Sequence, residues 1–443
     1  MPIDRTRGVA AARRLAQGAA LWEVVDAGAP DSWTRLDEGV RSDEWFSPAR
    51  GLPTWQWADG GRALAAAVRS GEVLTEAQLA LALCHRDGWI REAASARVAD
   101  RPALLPLLLL RCADWAEPVR VSARRWLAEL LDAERAVGLL PLIVRVERRQ
   151  HADFAARLAR GLLRGAPGER LAPLYGSADR LTRRYAYRMA VEEGLLSPAE
   201  LARVAARDDD AVVRSLCADA ALAAVRESGA YDDVLGPLLA ARGPWVRSAG
   251  VTALRPAGRP QDAVGFLADR SGLVRACARY VVRQGGVTPP AWYRDRCADP
   301  GDAALPPGAV AGLAECGERA DAALLWPLLE HPVAGVRAKA VAGLRVLDAA
   351  DVRRLWPMLD DPAAGVVREV TLAVLPSAGL MPGEWLVERV GARWPAHVRR
   401  AALRLALERD DDVRWRALLV VRDDPDERLR ERAERIGALS TRR

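Results

Sequence analysis

A short phrase recurs along this chain, and its regular return limits the folds open to the sequence more than any other feature. It begins with an acidic or polar residue at a turn and ends, six or seven positions later, with an Arg after a hydrophobic residue. Four weaker copies end at Arg91, Arg247, Arg399 and Arg430. The clear copies are Asp114–Arg120, Asp208–Arg214, Asp269–Arg275, His331–Arg337 and Asp361–Arg368.

The spacing of the copies is nearly constant. The clear copy that ends at Arg275 lies two repeat intervals before Arg337, which predicts a degenerate unit near Pro306 between them. The stretch from Arg120 to Arg214 makes three intervals and predicts two units whose phrase is lost. A fixed period of this size is typical of a stacked array, here of about a dozen units from residue 75 onward. The period is about 31 residues, and the copies that repeat it most regularly end at Arg337, Arg368, Arg399 and Arg430.

Each period has the pattern of a helical hairpin. The apolar run of residues 104–110 leads into a turn, and residues 119–131 then carry apolar side chains at intervals of three and four, as amphipathic helices do. One hairpin cannot bury its apolar stripe alone, so neighbouring hairpins must stack and share a core. Asp or Pro at the turn suits the cap and first-turn positions of the second helix. The sequence therefore predicts an all-α protein.

The phrase resembles that of HEAT repeats of the short, phycobilisome-lyase-like type. The family pattern Asp-Pro-x-x-x-Val-Arg-x-x-Ala is close to the last copy, Asp424–Ala433, and the resemblance extends from about residue 75 onward. It implies a right-handed α-solenoid of about a dozen helical hairpins of about 31 residues each. It says little about chemistry, because this repeat serves scaffolds, transport receptors, chromophore lyases and DNA glycosylases.

In that family the acid and the Arg bond within and between neighbouring units, so the resemblance implies a structural ladder here. Four copies depart from the pattern, because His85, Ala241, His331 and Arg393 stand where an Asp precedes the Arg by six. We expect the Arg of those copies to lack its partner and to be free for a ligand. The predicted ladder consists of Asp114, Arg120, Asp208, Arg214, Asp269, Arg275, Arg337, Asp361, Arg368, Asp424 and Arg430.

The 443 residues are enough for about three ordinary domains, but a solenoid grows without closing a core, so one elongated repeat body at 75–443 is expected. The first twenty residues have no uninterrupted apolar stretch, and no run approaches the length that spans a bilayer. The six cysteines include no Cys-x-x-Cys pair, and Cys217 and Cys277 follow repeat arginines, where small core residues are expected. These features predict a cytoplasmic, reduced protein without a membrane partner.

Residues 1–74 lack the phrase and are dense in Trp, Pro and Gly. Terminal units of a solenoid must cover an exposed apolar end, and aromatic residues packed across that end would do so. We therefore predict a capping segment. The alternative is an exposed recognition surface formed by Trp45, Trp55 and Trp57, because Trp is enriched in binding hot spots.

Positive charge is concentrated in residues 141–190. This stretch holds 11 Arg against four acids, a net of +7, whereas the whole chain carries +6, so the remainder is about neutral. Arginines can contact phosphates and tyrosines can stack on bases, which makes the stretch the best nucleic-acid candidate. A docking surface for an acidic protein, or a solvated basic face, remains the alternative. The candidate residues are Arg145, Arg148, Arg149, Arg157, Arg183, Arg184, Tyr185, Tyr187 and Arg188.

The sequence contains no recognised catalytic or metal-binding pattern. Its four histidines are far apart, and it has neither a Gly-rich phosphate loop nor a Gly-x-Ser-x-Gly motif. HEAT-like DNA glycosylases carry a Trp and an Asp four apart on a helix within their repeats. Trp22 and Asp26 have this spacing outside the repeats, with an ordinary amphipathic helix as the alternative. We expect no catalytic residues, no cofactor and no metal.

These features together predict a non-catalytic scaffold or adaptor. Its concave face, lined by the second helix of each unit, would hold a protein partner. The alternative is a nucleic-acid-binding HEAT-like protein, including a repair protein of the DNA glycosylase type, for which the basic stretch is the motivation.

Overall fold

The computed structural model describes residues 5–41, 54–57, 59–409 and 412–440. These residues form helices joined by short turns, and none of them lies in a strand. The all-α class predicted from the sequence is therefore confirmed. No helix in these ranges combines the length and the apolar content needed to cross a bilayer.

Residue contacts divide the chain into two compact units. The first comprises Met1–Glu200 and Asp208–Cys217, and the second comprises Leu201–Arg207 and Ala218–Arg443. The Trp-rich N-terminal segment thus shares a compact unit with the first repeat copies.

The first unit contains twelve complete helices among its described residues, with a 3₁₀ turn at Thr54–Trp57 and another at Pro102–Leu104. They are α1 (Arg5–Ala16), α2 (Leu21–Val24), α3 (Pro30–Arg41), α4 (Asp59–Ser70), α5 (Glu76–Leu83), α6 (Gly88–Ser95), α7 (Leu105–Arg111), α8 (Glu117–Leu130), α9 (Ala133–Val146), α10 (Asp153–Arg164), α11 (Gly168–Tyr175) and α12 (Arg180–Glu192).

The next two helices, α13 (Pro198–Arg207) and α14 (Ala211–Ser228), have residues in both units. The second unit continues with α15 (Asp232–Leu239), α16 (Pro244–Ala253), α17 (Gly272–Gln284), α18 (Pro289–Cys297), α19 (Pro307–Cys316), α20 (Ala322–Leu325), α21 (Ala334–Val346), α22 (Val352–Leu355), α23 (Ala364–Val374), α24 (Gly383–Val390), α25 (Ala396–Leu407), α26 (Asp412–Val421) and α27 (Glu427–Ser440). Longer 3₁₀ segments lie at Pro260–Ala268, Pro327–Glu330, Trp356–Asp360 and Leu375–Leu380.

The helices pair as a local repeat. Each copy of the phrase ends in the first turns of a helix, which is the second helix of its hairpin. In the second unit these second helices pack in series, α19 on α21, α21 on α23 and α23 on α25. The contacts therefore agree with a helical repeat.

Several first helices of the second unit are short because a Pro interrupts them. Helix α20 ends just before Trp326-Pro327, and a 3₁₀ turn completes the segment. Helix α22 ends in the same way before Trp356-Pro357. Pro lacks the backbone N–H that would continue the α-helical bonding, so the chain tightens into 3₁₀ geometry there.

Two glycines allow close packing, one against a neighbouring backbone and one against an aromatic ring. A Cβ on Gly39 of α3 would lie 2.1 Å from the Gly8 carbonyl carbon of α1. In the second unit, a Cβ on Gly312 of α19 would lie 2.2 Å from Cε1 of buried Tyr293. The Tyr293 hydroxyl donates to the Leu267 carbonyl at 2.8 Å, which fixes the ring against α19.

The N-terminal segment packs onto the first hairpins. One continuous set of buried apolar residues runs from Ala12 to Met189. Trp55 is 1% exposed and its Nε1 donates to the Val40 carbonyl at 3.0 Å. Asp37 of α3 binds the buried Arg111 of α7 at 2.5 Å, which ties the segment to the repeat copies by charge as well as by apolar contact.

Candidate functional site

The Arg of the phrase makes two kinds of contact, which are clearest at Arg91. Its Nη1 donates to the His85 carbonyl, six residues back in its own turn, at 2.8 Å. Its Nε and Nη2 donate to both carboxylate oxygens of Asp114, the first residue of the following copy, at 2.9 and 2.7 Å. A planar guanidinium suits this two-bond geometry with a carboxylate. One side chain therefore closes its own turn and holds the next one.

The first contact recurs at eight copies, where an Arg donates to the carbonyl six residues before it. The second contact recurs as an ion pair at five copies, where the acid receives the Arg of the preceding copy, and it has both hydrogen bonds at Arg91, Arg247 and Arg337. The Arg–carbonyl contacts are Arg91–His85, Arg120–Asp114, Arg183–Ser177, Arg214–Asp208, Arg247–Ala241, Arg275–Asp269, Arg337–His331 and Arg430–Asp424. The inter-copy pairs are Arg91–Asp114, Arg183–Asp208, Arg247–Asp269, Arg337–Asp361 and Arg399–Asp424.

The expectation that copies without their own Asp leave a free Arg is wrong. Those copies end at Arg91, Arg247, Arg337 and Arg399, and each Arg is bound to the acid of the next copy. The acid of a copy serves the preceding Arg rather than its own. A missing Asp therefore does not release the Arg of its own copy.

The first residue also builds the turn in most copies. Asp114 Oδ1 accepts from the Ala116 N–H at 3.0 Å, and Asp361 Oδ1 accepts from the Ala363 N–H at 2.8 Å. His85 does the same through Nδ1, which accepts from the Asp87 N–H at 3.0 Å. Burial lowers the pKa of His85 from its ordinary value of 6.5 to about 4, against the opposing charge of Asp87. The ring is therefore neutral near pH 7 and can replace Asp as an acceptor.

Arg183 occupies a ladder position that the sequence reading assigned to a nucleic-acid surface. It donates to the Ser177 carbonyl at 2.6 Å and lies 3.4 Å from Asp208. It stands one period before Arg214. One of the two lost copies is thus the stretch Ser177–Arg183. The period alone could have located it.

Arg368, by contrast, lies one position out of the ladder register. The copy beginning at Asp361 reaches Val367 after six residues. The Arg368 side chain is 71% exposed and binds the neighbouring Glu369. Of the predicted ladder residues, Arg368 therefore makes neither ladder contact.

The basic stretch is largely neutralised by acids from elsewhere in the first unit. Arg145 binds Asp31 and Asp179 at 2.9 and 3.0 Å. Six further arginines have an acid partner, namely Arg149 with Glu38, Arg157 with Asp153, Arg160 with Glu192, Arg164 with Glu193, Arg183 with Asp208 and Arg184 with Asp210. Four exposed arginines have no ion-pair partner among the described residues, namely Arg148, Arg170, Arg180 and Arg188.

The two tyrosines among the candidate residues of the basic stretch are core residues. Tyr185 and Tyr187 are 6% and 7% exposed. Tyr187 stacks on Tyr175 with ring centroids 5.0 Å apart, and burial raises its pKa to about 12. Burial also raises the pKa of Tyr185, and Arg160 opposes that shift. Neither ring presents a face for stacking on a base.

A cationic cleft of about 350 Å³ lies between α9, α12 and the start of α14, within the first unit. The unpartnered Arg148 and Arg188 belong to its wall, with Glu147 beside them. Arg184 also lines it, and this guanidinium holds the pKa of Asp210 at about 2. The complete lining consists of Val144, Arg145, Glu147, Arg148, Leu181, Arg184, Tyr185, Arg188 and Val212.

Exposed apolar residues recur at one position of the repeat copies, which the sequence analysis did not identify. They stand two residues before the Arg, at the start of the second helix, where the side chain faces solvent. We call these five the edge residues, and they are Trp89, Leu181, Val212, Trp245 and Leu273, with exposures of 51, 43, 45, 60 and 43%. Single exposed apolar residues are common on proteins. Here five copies carry one at the equivalent position, whereas Pro118, Gly335, His397 and Arg428 stand there in four others.

A second periodic aromatic position was also missed. The rings of Trp356 and Trp385 meet edge to face with centroids 5.0 Å apart. Arg389 lies 4.3 Å from the Trp385 ring and 4.4 Å from the Trp394 ring. These contacts join neighbouring first helices and are structural. Five Trp residues of the second unit follow one another at intervals close to the repeat period, at Trp292, Trp326, Trp356, Trp385 and Trp415.

The aromatic residues proposed for recognition near the N-terminus do not form a described surface. Trp55 belongs to the core. Trp45 and the side chain of Trp57 lie outside the described residues.

The Trp22–Asp26 spacing does not place the two residues on one helix. Helix α2 ends at Val24, so Asp26 lies beyond it, where its Oδ1 accepts from the Gly28 N–H at 2.9 Å. Trp22 is 79% exposed beside an apolar cavity of about 270 Å³ that Leu21 and Trp33 help to line. The structure therefore does not place this indole and this carboxylate on one helix face.

Among the described residues, no group of three or more His, Cys, Asp or Glu is placed to hold a metal ion. All six cysteines are unpaired, and four of them are buried. No protein-family model matches this chain, and no curated protein is significantly similar to it in sequence. The resemblance to HEAT-like repeats therefore stays a prediction.

Proposed function

We propose that this chain is a non-catalytic scaffold of the HEAT-like repeat type that binds a protein partner along the face lined by its second helices. The right-handed winding implied by the repeat resemblance and a cytoplasmic location belong to the same proposal. The observation that carries it is the set of edge residues, three in the first unit and two in the second, each at the start of a second helix.

The composition of this set favours a protein partner. Two of the five edge residues are Trp. Trp is enriched in the residues that contribute most to protein–protein binding. Within the first unit the Arg183–Asp208 pair bonds the copy of Leu181 to that of Val212, and within the second unit the Arg247–Asp269 pair bonds the copy of Trp245 to that of Leu273. A partner would thus meet preorganised apolar contacts.

The nucleic-acid alternative has weaker support. Of the candidate residues in the basic stretch, Tyr185 and Tyr187 are buried, Arg183 is in the ladder and Arg184 is paired with Asp210. Nucleic-acid binding usually combines many phosphate contacts with exposed aromatic faces. The basic stretch offers few arginines that are free to contact phosphates and few exposed aromatic faces.

The test is recovery of a partner from nuclease-treated lysate of the source cells by wild-type and variant chains. The edge variant carries Trp89→Glu, Trp245→Glu and Leu273→Glu. A matched control places Glu at three exposed apolar positions outside this set, Val73, Val346 and Leu380, which are 93, 58 and 74% exposed.

We expect the same proteins to be recovered by the wild type and the control, and to be lost with the edge variant. Equal recovery by the edge variant would show that the edge residues do not form the binding surface. Recovery from untreated lysate that is lost after nuclease treatment would favour the alternative function.

A further inference from the structure

We propose that the cationic cleft of the first unit receives an acidic side chain of a protein segment whose apolar neighbours lie on Leu181 and Val212. This inference rests on the proposed function, because it states what chemistry the protein partner brings to the second-helix face. It is carried by the position of the cleft between two edge residues.

The apolar part of the site is defined by consecutive copies. Leu181 and Val212 stand one period apart in the sequence, each two residues before a ladder Arg. Both line the cleft and are about half exposed, at 43 and 45%. A bound segment would therefore meet an apolar side chain from each of two neighbouring turns, and Arg148 and Arg188 in the same lining. Apolar contacts with a small number of placed charges are typical of protein-recognition sites.

The charge available in the cleft is small and specific. Of its four arginines, Arg145 and Arg184 already bind acids. Arg148 and Arg188 have no ion-pair partner among the described residues, and both are exposed. Glu147 in the same wall offsets part of their charge. The spare charge thus matches one or two carboxylates, which an Arg can bind with two parallel hydrogen bonds.

A polyanion fits this cleft less well. A nucleic-acid strand brings a phosphate at every nucleotide and gains affinity from each one neutralised. Two spare arginines would neutralise few of them, and the buried Tyr185 supplies no stacking face. An acidic peptide with apolar residues is the occupant whose charge and polarity both match.

The experiment uses twelve-residue peptides selected by display on the full chain. Affinities of labelled selected peptides are then measured for the wild type and for three variants. The cleft variant is Arg148→Glu with Arg188→Glu, and the rim variant is Leu181→Glu with Val212→Glu. The control, Arg170→Glu with Arg180→Glu, removes the same charge from exposed arginines of the same stretch that do not line the cleft. Circular dichroism confirms that each variant is folded.

We expect the selected peptides to carry Asp or Glu beside Leu, Ile or Phe. Their affinity should fall about 30-fold or more with the cleft variant, as when a charged partner is removed, and clearly with the rim variant. The control should change it less than about threefold, because exposed charges at a distance are screened.

Three outcomes overturn the inference. Enrichment of peptides without acids, or of no peptides, excludes an acidic ligand. Loss of affinity with the rim variant but not with the cleft variant keeps the proposed protein-binding function and removes the cleft from it. If 20-nucleotide single-stranded or duplex DNA binds through Arg148 and Arg188 and displaces the peptides, the cleft is a nucleic-acid site and both proposals fall.

Discussion

The Arg91 guanidinium and the Asp114 carboxylate, 23 residues apart in the sequence, form a two-bond ion pair whose side chains are 1% and 0% exposed. Asp114 also receives Arg111, which in turn binds Asp37 of the N-terminal segment. A buried charge of this kind is tolerable only while its partners remain in place. This pair therefore links the first copies of the repeat and the segment that precedes them.

Removal of the acid alone should destabilise the first unit strongly. We expect Asp114→Ala to lower its free energy of unfolding by about 3–5 kcal/mol, because Arg91 loses its carboxylate partner in a buried position. Urea unfolding followed by circular dichroism measures the change. Asp361→Ala, at the more exposed pair with Arg337 (14 and 9% exposed), is the comparison and should cost less. Equal costs would mean that burial does not set the strength of the ladder.

Substitutions of Arg183 and Arg188 should affect stability differently, because Arg183 is bonded in the ladder and Arg188 is not. Arg183→Ala leaves the Ser177 carbonyl and Asp208 without their partner and should cost about 1–3 kcal/mol of stability. Arg188→Ala removes an exposed side chain and should change stability by less than about 0.5 kcal/mol. Thermal unfolding of the two single variants gives the comparison. A neutral Arg183→Ala would show that this ladder contact contributes little.

Gly312 should not tolerate a side chain. Its Cβ would meet Tyr293 at 2.2 Å, and Tyr293 is held by its bond to Leu267, so Gly312→Ala should cost about 3 kcal/mol or more through overpacking. Gly138 of α9 has no atom within 4 Å of its Cβ position. Gly138→Ala should therefore stabilise the chain by about 0.5–1 kcal/mol through helix propensity. Chemical unfolding of both variants, one in each unit, tests the two opposite signs.

His85 should make the first unit sensitive to mild acid. The unfolded chain binds a proton on this ring at its ordinary pKa of 6.5, whereas the folded chain binds it only near 4. Acidification from pH 6.5 to 4 therefore favours unfolding, by up to about 3 kcal/mol. The contribution of the neutral His85 ring to the free energy of unfolding is fully present above pH 6.5. His85→Asn keeps an acceptor for the Asp87 N–H but does not titrate.

The difference between the unfolding free energies of wild type and His85→Asn, measured from pH 7.5 to 4, isolates this group from the other titrating residues. The wild type should lose stability relative to His85→Asn as the pH falls through that range. A difference that stays constant with pH would show that the ring is accessible to protons in the folded chain.

The sequence predicted the helical class and the period because both depend on local patterns. Apolar spacing along each helix and the return of Arg at a fixed interval need no knowledge of the fold. The direction of the ladder contacts could not be read in this way. An Asp six residues before an Arg looks like its partner, but the turn directs that Asp to the preceding copy.

The basic stretch illustrates a second limit. A count over residues 141–190 gives +7, yet six of the acids that bind its arginines lie outside these residues, as Asp31, Glu38, Glu192, Glu193, Asp208 and Asp210. Tertiary packing places these acids beside the arginines, so a charge count over a sequence window overestimates the local positive charge. The edge residues were within reach of the sequence, because each stands at a fixed offset from its Arg.

The ladder pairs do not join every copy to the next. Arg91 is bonded to the copy that ends at Arg120, Arg247 to the one that ends at Arg275, and Arg399 to the one that ends at Arg430, while Arg120 has no such acid partner among the described residues. These ladder pairs join copies two by two, and Arg275 continues from its pair to Glu315 of the next hairpin. If the chain were stretched from its ends, it should yield first beyond Arg120 and Arg214, which bond only backbone carbonyls among the described residues, in steps of about two repeats, roughly 200 Å of released chain each.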